Sequence, residues 1–189
     1  MARWKNPIPS VTPVSQEVLR VIFASISDWF SKPSNFLDYG AFSDTTDQVP
    51  AAANTAYPIT LNTTDVSNNV SVVSGSQITF ANTGVFNLQW SGQFQNTDTQ
   101  LHDATVWLKQ NGVDIAGSTG YFGVPNSHGG VSGHTIVGWN YFLFVEAGDY
   151  IQLYWEADST DVTLQFYPSA LAPVKPSTAS VVVTVTQVG

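Results

Sequence analysis

Cysteine is absent from the 189 residues. No disulfide framework and no thiolate metal site can form, and the compartment cannot be read from redox usage. Robustness outside a cell would need another source, such as oligomerisation. Positive charge is scarce too: six Lys and Arg stand against fourteen Asp and Glu, a net charge of −8. Four of the cations, Arg3, Lys5, Arg20 and Lys32, fall in the first 38 residues, so only Lys109 and Lys175 oppose the eleven acids beyond them. Phosphate binding needs clustered cations, which excludes nucleic acid as an expected partner of the acidic body. No apolar run is long enough to span a bilayer, so no membrane partner is expected. The stretch from Val18 is cut by Arg20 and preceded by Pro7, Pro9 and Pro13, unlike a secretory leader. Gly-rich phosphate loops, a Gly-x-Ser-x-Gly elbow and a His-Glu-x-x-His pattern are all missing. The expectation is a protein that is not an enzyme and takes no cofactor.

Aromatic residues, at 13%, are plentiful, and Asn, Thr, Ser, Gln and Gly fill the polar positions. That mixture favours a packed, β-rich chain over disorder. The length suits one domain of roughly 150 residues with an appendage. Residues 1–13, "MARWKNPIPSVTP", hold three prolines and read as an extended arm. Thr12-Pro13 can then act as cap and first residue of a helix. Leu19, Ile22, Ile26 and Trp29 recur at spacings of three, four and three, widened by Val18, Phe23 and Phe30, and Lys32-Pro33 ends the run. Such a helix either packs on its own domain, or meets copies of itself or a larger assembly.

From Tyr39 the period becomes two. "VFNLQWSGQF" puts Phe86, Leu88, Trp90 and Phe94 on one face. "ATVWLKQNGVDIAGS" reads as two short strands around Asn111-Gly112. A long strand precedes the Ala147-Gly148-Asp149 turn and another follows it; "YPITLN", "VSVVS", "QITFAN", "VTLQFYP" and the closing "SVVVTVTQVG" are further candidates. Short strands with turns between them predict an all-β sandwich or barrel. "GSTGYFGVPNSHGGVSGH" is the longest stretch expected to be irregular, and Tyr121, Phe122 and His128 in it are candidate recognition residues for a host-surface glycan or receptor.

The acidic stretch around that turn, with Glu146, Asp149, Glu156 and Asp158, raises the question of catalysis. Ile151, Leu153 and Trp155 alternate with Gln152, Tyr154 and Glu156, so a strand separates the acids by roughly 20 Å. Two carboxylates serving one glycosidic bond stand about 5–10 Å apart. The stretch therefore reads as strand, turn and strand. Metal candidates are thin: His128 with His134, and Asp98, His102 and Asp103 in one loop. Neither set supplies the ligands that zinc or calcium needs, and no metal site is expected.

Several motifs follow one another in a telling order: "YGAFSDTT", "YPITLN", "ITFANTGVFNLQWSGQF", "WLKQNGVDIAGS", "FVEAGDYIQLYWE" and "VVVTVTQVG". In that order, over most of the last 150 residues, they resemble the C1q/TNF-like jelly roll, in the form found on tailed-bacteriophage virion proteins. The C-terminal ending lacks the aromatic-Gly-x-Leu finish of vertebrate members, and no collagen-like stalk precedes the domain. The resemblance implies two domains: an anchoring arm and short amphipathic helix over 1–38, and a trimeric jelly roll over 39–189. It further implies a virion protein, on capsid surface or tail.

"TIVGWNYFLFV" is apolar on both faces. Ile136, Phe142 and Phe144 are expected to fill the sandwich, leaving Val137, Trp139, Tyr141 and Leu143 as a homotrimer interface. A free antiparallel sheet would keep that second face polar. The alternative is that residues 14–31 cover it. Trp4, Leu19, Ile22, Ile26 and Trp29 are the candidate anchors to a major capsid protein or another virion protein. The expectation is a trimeric capsid decoration (cement) protein, with a tail-fibre or receptor-binding head as the other reading.

Overall fold

The computed structural model describes residues 15–31 and 37–189. They fall into two compact units, one within residues 1–36 and the other Leu37–Gly189. In the first, α1 runs Gln16–Ser31. Ser15 caps it: the Val18 amide donates to its Oγ at 3.3 Å. Val18, Leu19, Ile22, Phe23 and Ile26 are exposed. Trp4, Thr12-Pro13, Lys32-Pro33 and the side chain of Trp29 lie outside the described residues.

The second unit is an all-β, jelly-roll-like sandwich. Its strands are β1 Tyr39–Asp44, β2 Tyr57–Pro58, β3 Thr63–Asn68, β4 Val70–Val73, β5 Gln77–Phe80, β6 Gly84–Asn96, β7 His102–Gln110 and β8 Val113–Asp114. They continue as β9 Gly120–Val124, β10 Gly133–Val145, β11 Tyr150–Ala157, β12 Val162–Leu164, β13 Ala170–Leu171, β14 Val174–Lys175 and β15 Val181–Gln187. One sheet has the order β10-β6-β15-β1-β3, with β12 also on β6. The facing sheet has the order β4-β5-β11-β7-β8, with β2 on β11 and β9 on β7. β13 and β14 make a separate small hairpin.

Period-two burial builds the core. On β6 the residues Phe86, Leu88, Trp90 and Phe94 all point in, as their alternation predicts, and Val181, Val183 and Val185 of β15 extend the layer. Ile151, Leu153 and Trp155 of β11, with Val106 and Leu108 of β7, close it from the facing sheet. Each such side chain contributes about 1.5–3 kcal/mol of burial. The Asn111-Gly112 corner turns with φ of 52° and 81°, the left-handed pair that a two-residue hairpin requires.

Two expectations about loops change. "YPITLN" contributes only the two residues of β2, while Thr63–Asn68, not foreseen, pairs with β1. The stretch expected to be irregular from Gly117 contains β9, paired with β7 from Gly120 to Val124. Glycines at 120 and 123 hide its alternation. Gly120 is required by packing: a Cβ there would lie 2.3 Å from the Trp139 ring.

Buried acids are structural. Asp44 accepts from the Thr60 hydroxyl (2.7 Å), the Asn62 amide (3.1 Å) and the Thr46 amide (2.8 Å). Asp38 accepts from the side-chain amides of Asn69 (2.9 Å) and Asn82 (3.0 Å). Hydrogen-bond donors without a base satisfy both carboxylates, which suits a body so poor in cations.

Candidate assembly face

β10 is an edge strand, paired to β6 along all thirteen residues. Its two faces are reversed from the sequence expectation. Leu143 is 8% exposed, and Val137, Trp139 and Tyr141 pack against the core. The proposed interface of Val137, Trp139, Tyr141 and Leu143 therefore faces inward and is corrected to a core role. Ile136 (69%), Phe142 (64%) and Phe144 (60%), expected to fill the sandwich, are the exposed set. The reason lies on the facing sheet. Gly120 leaves room there for the Trp139 indole, and the Tyr141 hydroxyl donates to the Gly117 carbonyl at 3.1 Å. Trp139 also meets Trp90 edge-to-face, with ring centroids 4.6 Å apart. Among the described residues neither buried indole N–H has an acceptor, a cost that the packing of the two rings offsets.

The outer face that results is apolar along β10. Across from Ile136, Phe142 and Phe144 stand Gln93, Asn87 and Val85 of β6. Beyond them, on β15, Val182 is exposed and Thr184 and Thr186 share its face. β6, β10 and β15 contain no Asp, Glu, Lys or Arg, whereas β1, β3, β7 and β11 all carry acids. Near the start of β10 a groove of about 430 Å³ opens over Phe94 and Ile136, walled by His134, Tyr167 and Lys175. The His134 Nδ1 and the Tyr167 hydroxyl are 2.9 Å apart there. Leu171 and Val174, at the tip of the β13–β14 hairpin, are exposed.

The candidate recognition residues separate. Tyr121 is 80% exposed on β9. Phe122, its neighbour, turns inward against Phe94 with ring centroids 4.8 Å apart, and its recognition role is withdrawn. His128 sits in an exposed turn closed by reciprocal backbone bonds with Val131.

The acids of the questioned stretch go to different partners. Asp149 accepts from the side chains of Gln110 (2.8 Å) and Asn111 (2.7 Å) and from the Glu146 amide (2.9 Å), which fastens the β10–β11 turn to the β7–β8 corner. Those bonds, the one from Asn111 foremost, hold its carboxyl below the usual range. Asp158 instead meets His102 Nδ1 at 2.9 Å, while Asp98 meets His102 Nε2 at 2.9 Å. Burial opposes the charge on this imidazole, but the bond to Asp98 and the charge of Asp158 prevail and raise its pKa. Among the described residues, no group of three or more His, Asp or Glu side chains is arranged to hold a metal ion. No family model matches the chain, and no curated protein matches its sequence.

Proposed function

We propose that this chain is a non-enzymatic structural protein of a virus particle: a C1q/TNF-like trimer that decorates a tailed-phage capsid, held by residues 1–38, with its sandwich outward. The observation that carries the reading is the uncharged outer face of β10, β6 and β15, edged by Ile136, Phe142 and Phe144. Between chains of net charge −8, a face free of carboxylates meets the least repulsion. A long apolar edge strand left bare is an aggregation hazard that assembly removes. Burying the three side chains contributes about 1.5–3 kcal/mol each, comparable with the association cost of about 4–15 kcal/mol once each chain meets two neighbours. Three copies related by rotation close such a contact into a ring.

Residues 1–38 carry four of the six cations and an apolar stripe whose Leu19, Ile22 and Ile26 are exposed, a combination suited to an acidic partner with apolar pockets, such as a major capsid protein. No described helix is long and apolar enough to cross a membrane. Sedimentation equilibrium of the purified chain tests the assembly: three chains per particle are expected at micromolar concentration, and a single-chain mass overturns it. Copy number on the virion tests the place, with hundreds expected for decoration.

A second reading, a tail-fibre head that binds a host glycan or receptor, is favoured by the exposed Tyr121 beside an open cleft on the opposite sheet. A few copies per particle would favour it.

A further inference from the structure

The sheet opposite the assembly face carries a cleft of about 570 Å³, adjoined by a recess of about 240 Å³; the two share Asn54, Thr105, Tyr121 and Glu156. Its floor is a row of cross-strand neighbours. Thr105 of β7 pairs with Tyr121 of β9 on one side and Glu156 of β11 on the other, so the three side chains share one face. Trp107, two residues along β7, continues that face beside Tyr154, with ring centroids 5.9 Å apart. The Trp107 Nε1 donates to Asp114 at 2.8 Å, which fixes the indole as a wall of the cleft.

We propose that this cleft binds a neutral oligosaccharide. A sugar ring offers an apolar C–H face and a rim of hydroxyls that both donate and accept. Matching it takes a rigid aromatic surface and a few polar groups of both kinds. Trp107 and Tyr121 supply the aromatic surface. The Glu156 carboxylate accepts from the Thr105 hydroxyl at 3.2 Å through one oxygen and keeps the other free. Among the described residues, the side chains of Asn54, Asp103 and Tyr121 make no hydrogen bond within the chain, so an amide, a carboxylate and a phenol remain for a ligand.

The charge of the lining decides against acidic sugars. Asp103, Glu156 and Asp158 line the recess, and the cationic groups beside the lining are already engaged: Lys109 by Asp114 at 3.2 Å and over the Tyr154 ring at 4.5 Å, and His102 by Asp158 and Asp98, each at 2.9 Å. Sialylated or phosphorylated glycans would meet repulsion with no free base to answer it. The donors supplied by Asn54 and Tyr121 favour a hydroxyl-rich ligand over a purely cationic one, which would want acceptors alone. The inference rests on the trimer reading in one respect: that assembly covers the β10–β6–β15 face and leaves this one outward.

The test uses the full chain. Trisaccharides of N-acetylglucosamine, galactose, mannose and glucose are titrated by calorimetry and by tryptophan fluorescence, beside sialyllactose and an oligolysine peptide. At least one neutral probe is expected to bind in the millimolar range or tighter, weakened about tenfold or more, 1.4 kcal/mol or above, by Tyr121→Ala and by Glu156→Gln. Tyr121 is exposed, so its variant folds, and thermal melts verify that. Failure of every neutral probe, binding indifferent to both substitutions, or a preference for sialyllactose or oligolysine overturns the proposal. Sedimentation of the same samples reports assembly separately, and Phe142→Asp, on the other sheet, should leave affinity per chain unchanged.

Discussion

Trp139 stands edge-on to Trp90 across the β10–β6 pair, their ring centroids 4.6 Å apart, and covers Gly120 of the facing sheet. This one arrangement fixes which face of β10 is core and which is surface. Trp139 in means Val137, Tyr141 and Leu143 in, because side chains two apart share a face; it equally means Ile136, Phe142 and Phe144 out.

Gly120→Ala should therefore destabilise the fold. The added methyl would overlap the Trp139 ring, and overpacking of this kind costs about 1–3 kcal/mol. Urea unfolding measures it. Adding Trp139→Phe should recover part of the loss, giving a non-zero coupling in the double-mutant cycle; strict additivity would place Trp139 elsewhere.

Substitutions on the two faces of β10 should separate folding from assembly. Trp139→Ala is expected to lower stability by about 3 kcal/mol or more through the cavity it leaves. Phe142→Asp should leave far-UV circular dichroism unchanged and reduce the sedimenting mass to one chain. A Phe142→Asp variant that stays trimeric removes the outer face from the interface.

His102 should give the stability a pH dependence of definite sign. Both ring nitrogens face carboxylates at 2.9 Å, so the doubly protonated ring alone donates to Asp98 and Asp158 together. With its pKa raised above the ordinary 6.5, the imidazolium contributes stability fully present below that ordinary value and lost as pH rises through the raised one. Asp98, held below 3.8 chiefly by its bond to His102, contributes stability that is present above 3.8 and lost as pH falls through its lowered value. Melting temperature against pH should show both limbs, and His102→Gln should flatten the upper one.

Asp149→Ala should loosen the β10–β11 turn, since three donors lose their acceptor at once. A fall in melting temperature on the order of 5 °C is expected. Amide exchange should quicken at Glu146 and Asn111 while β6 keeps its protection; uniform exchange throughout would deny the turn its local role.

Much of the body was legible in the residue order. Phe86, Leu88, Trp90 and Phe94 alternate with Asn, Gln and Ser, so their face is written in period two. Asn111-Gly112 announces its corner because few other pairs accept left-handed backbone twice in succession. The acids from Glu146 to Asp158 were legible as architecture because a strand sets them apart. Other features left no such trace. β9 is punctuated by glycines and reads as loop, although Gly120 is there to receive an indole from another sheet. The cleft on the facing sheet joins residues 54, 105, 121 and 156, which no spacing connects.

By itself the sequence determined an acidic, aromatic β body poor in cations and a separate N-terminal stretch that holds four of the six basic residues, since composition and local period need no partner to act. Tertiary structure alone decided which side of β10 is inside. When both alternating sets are apolar, burial energy favours either one, and the choice falls to the space over Gly120 and the Gly117 carbonyl, which only the facing layer supplies.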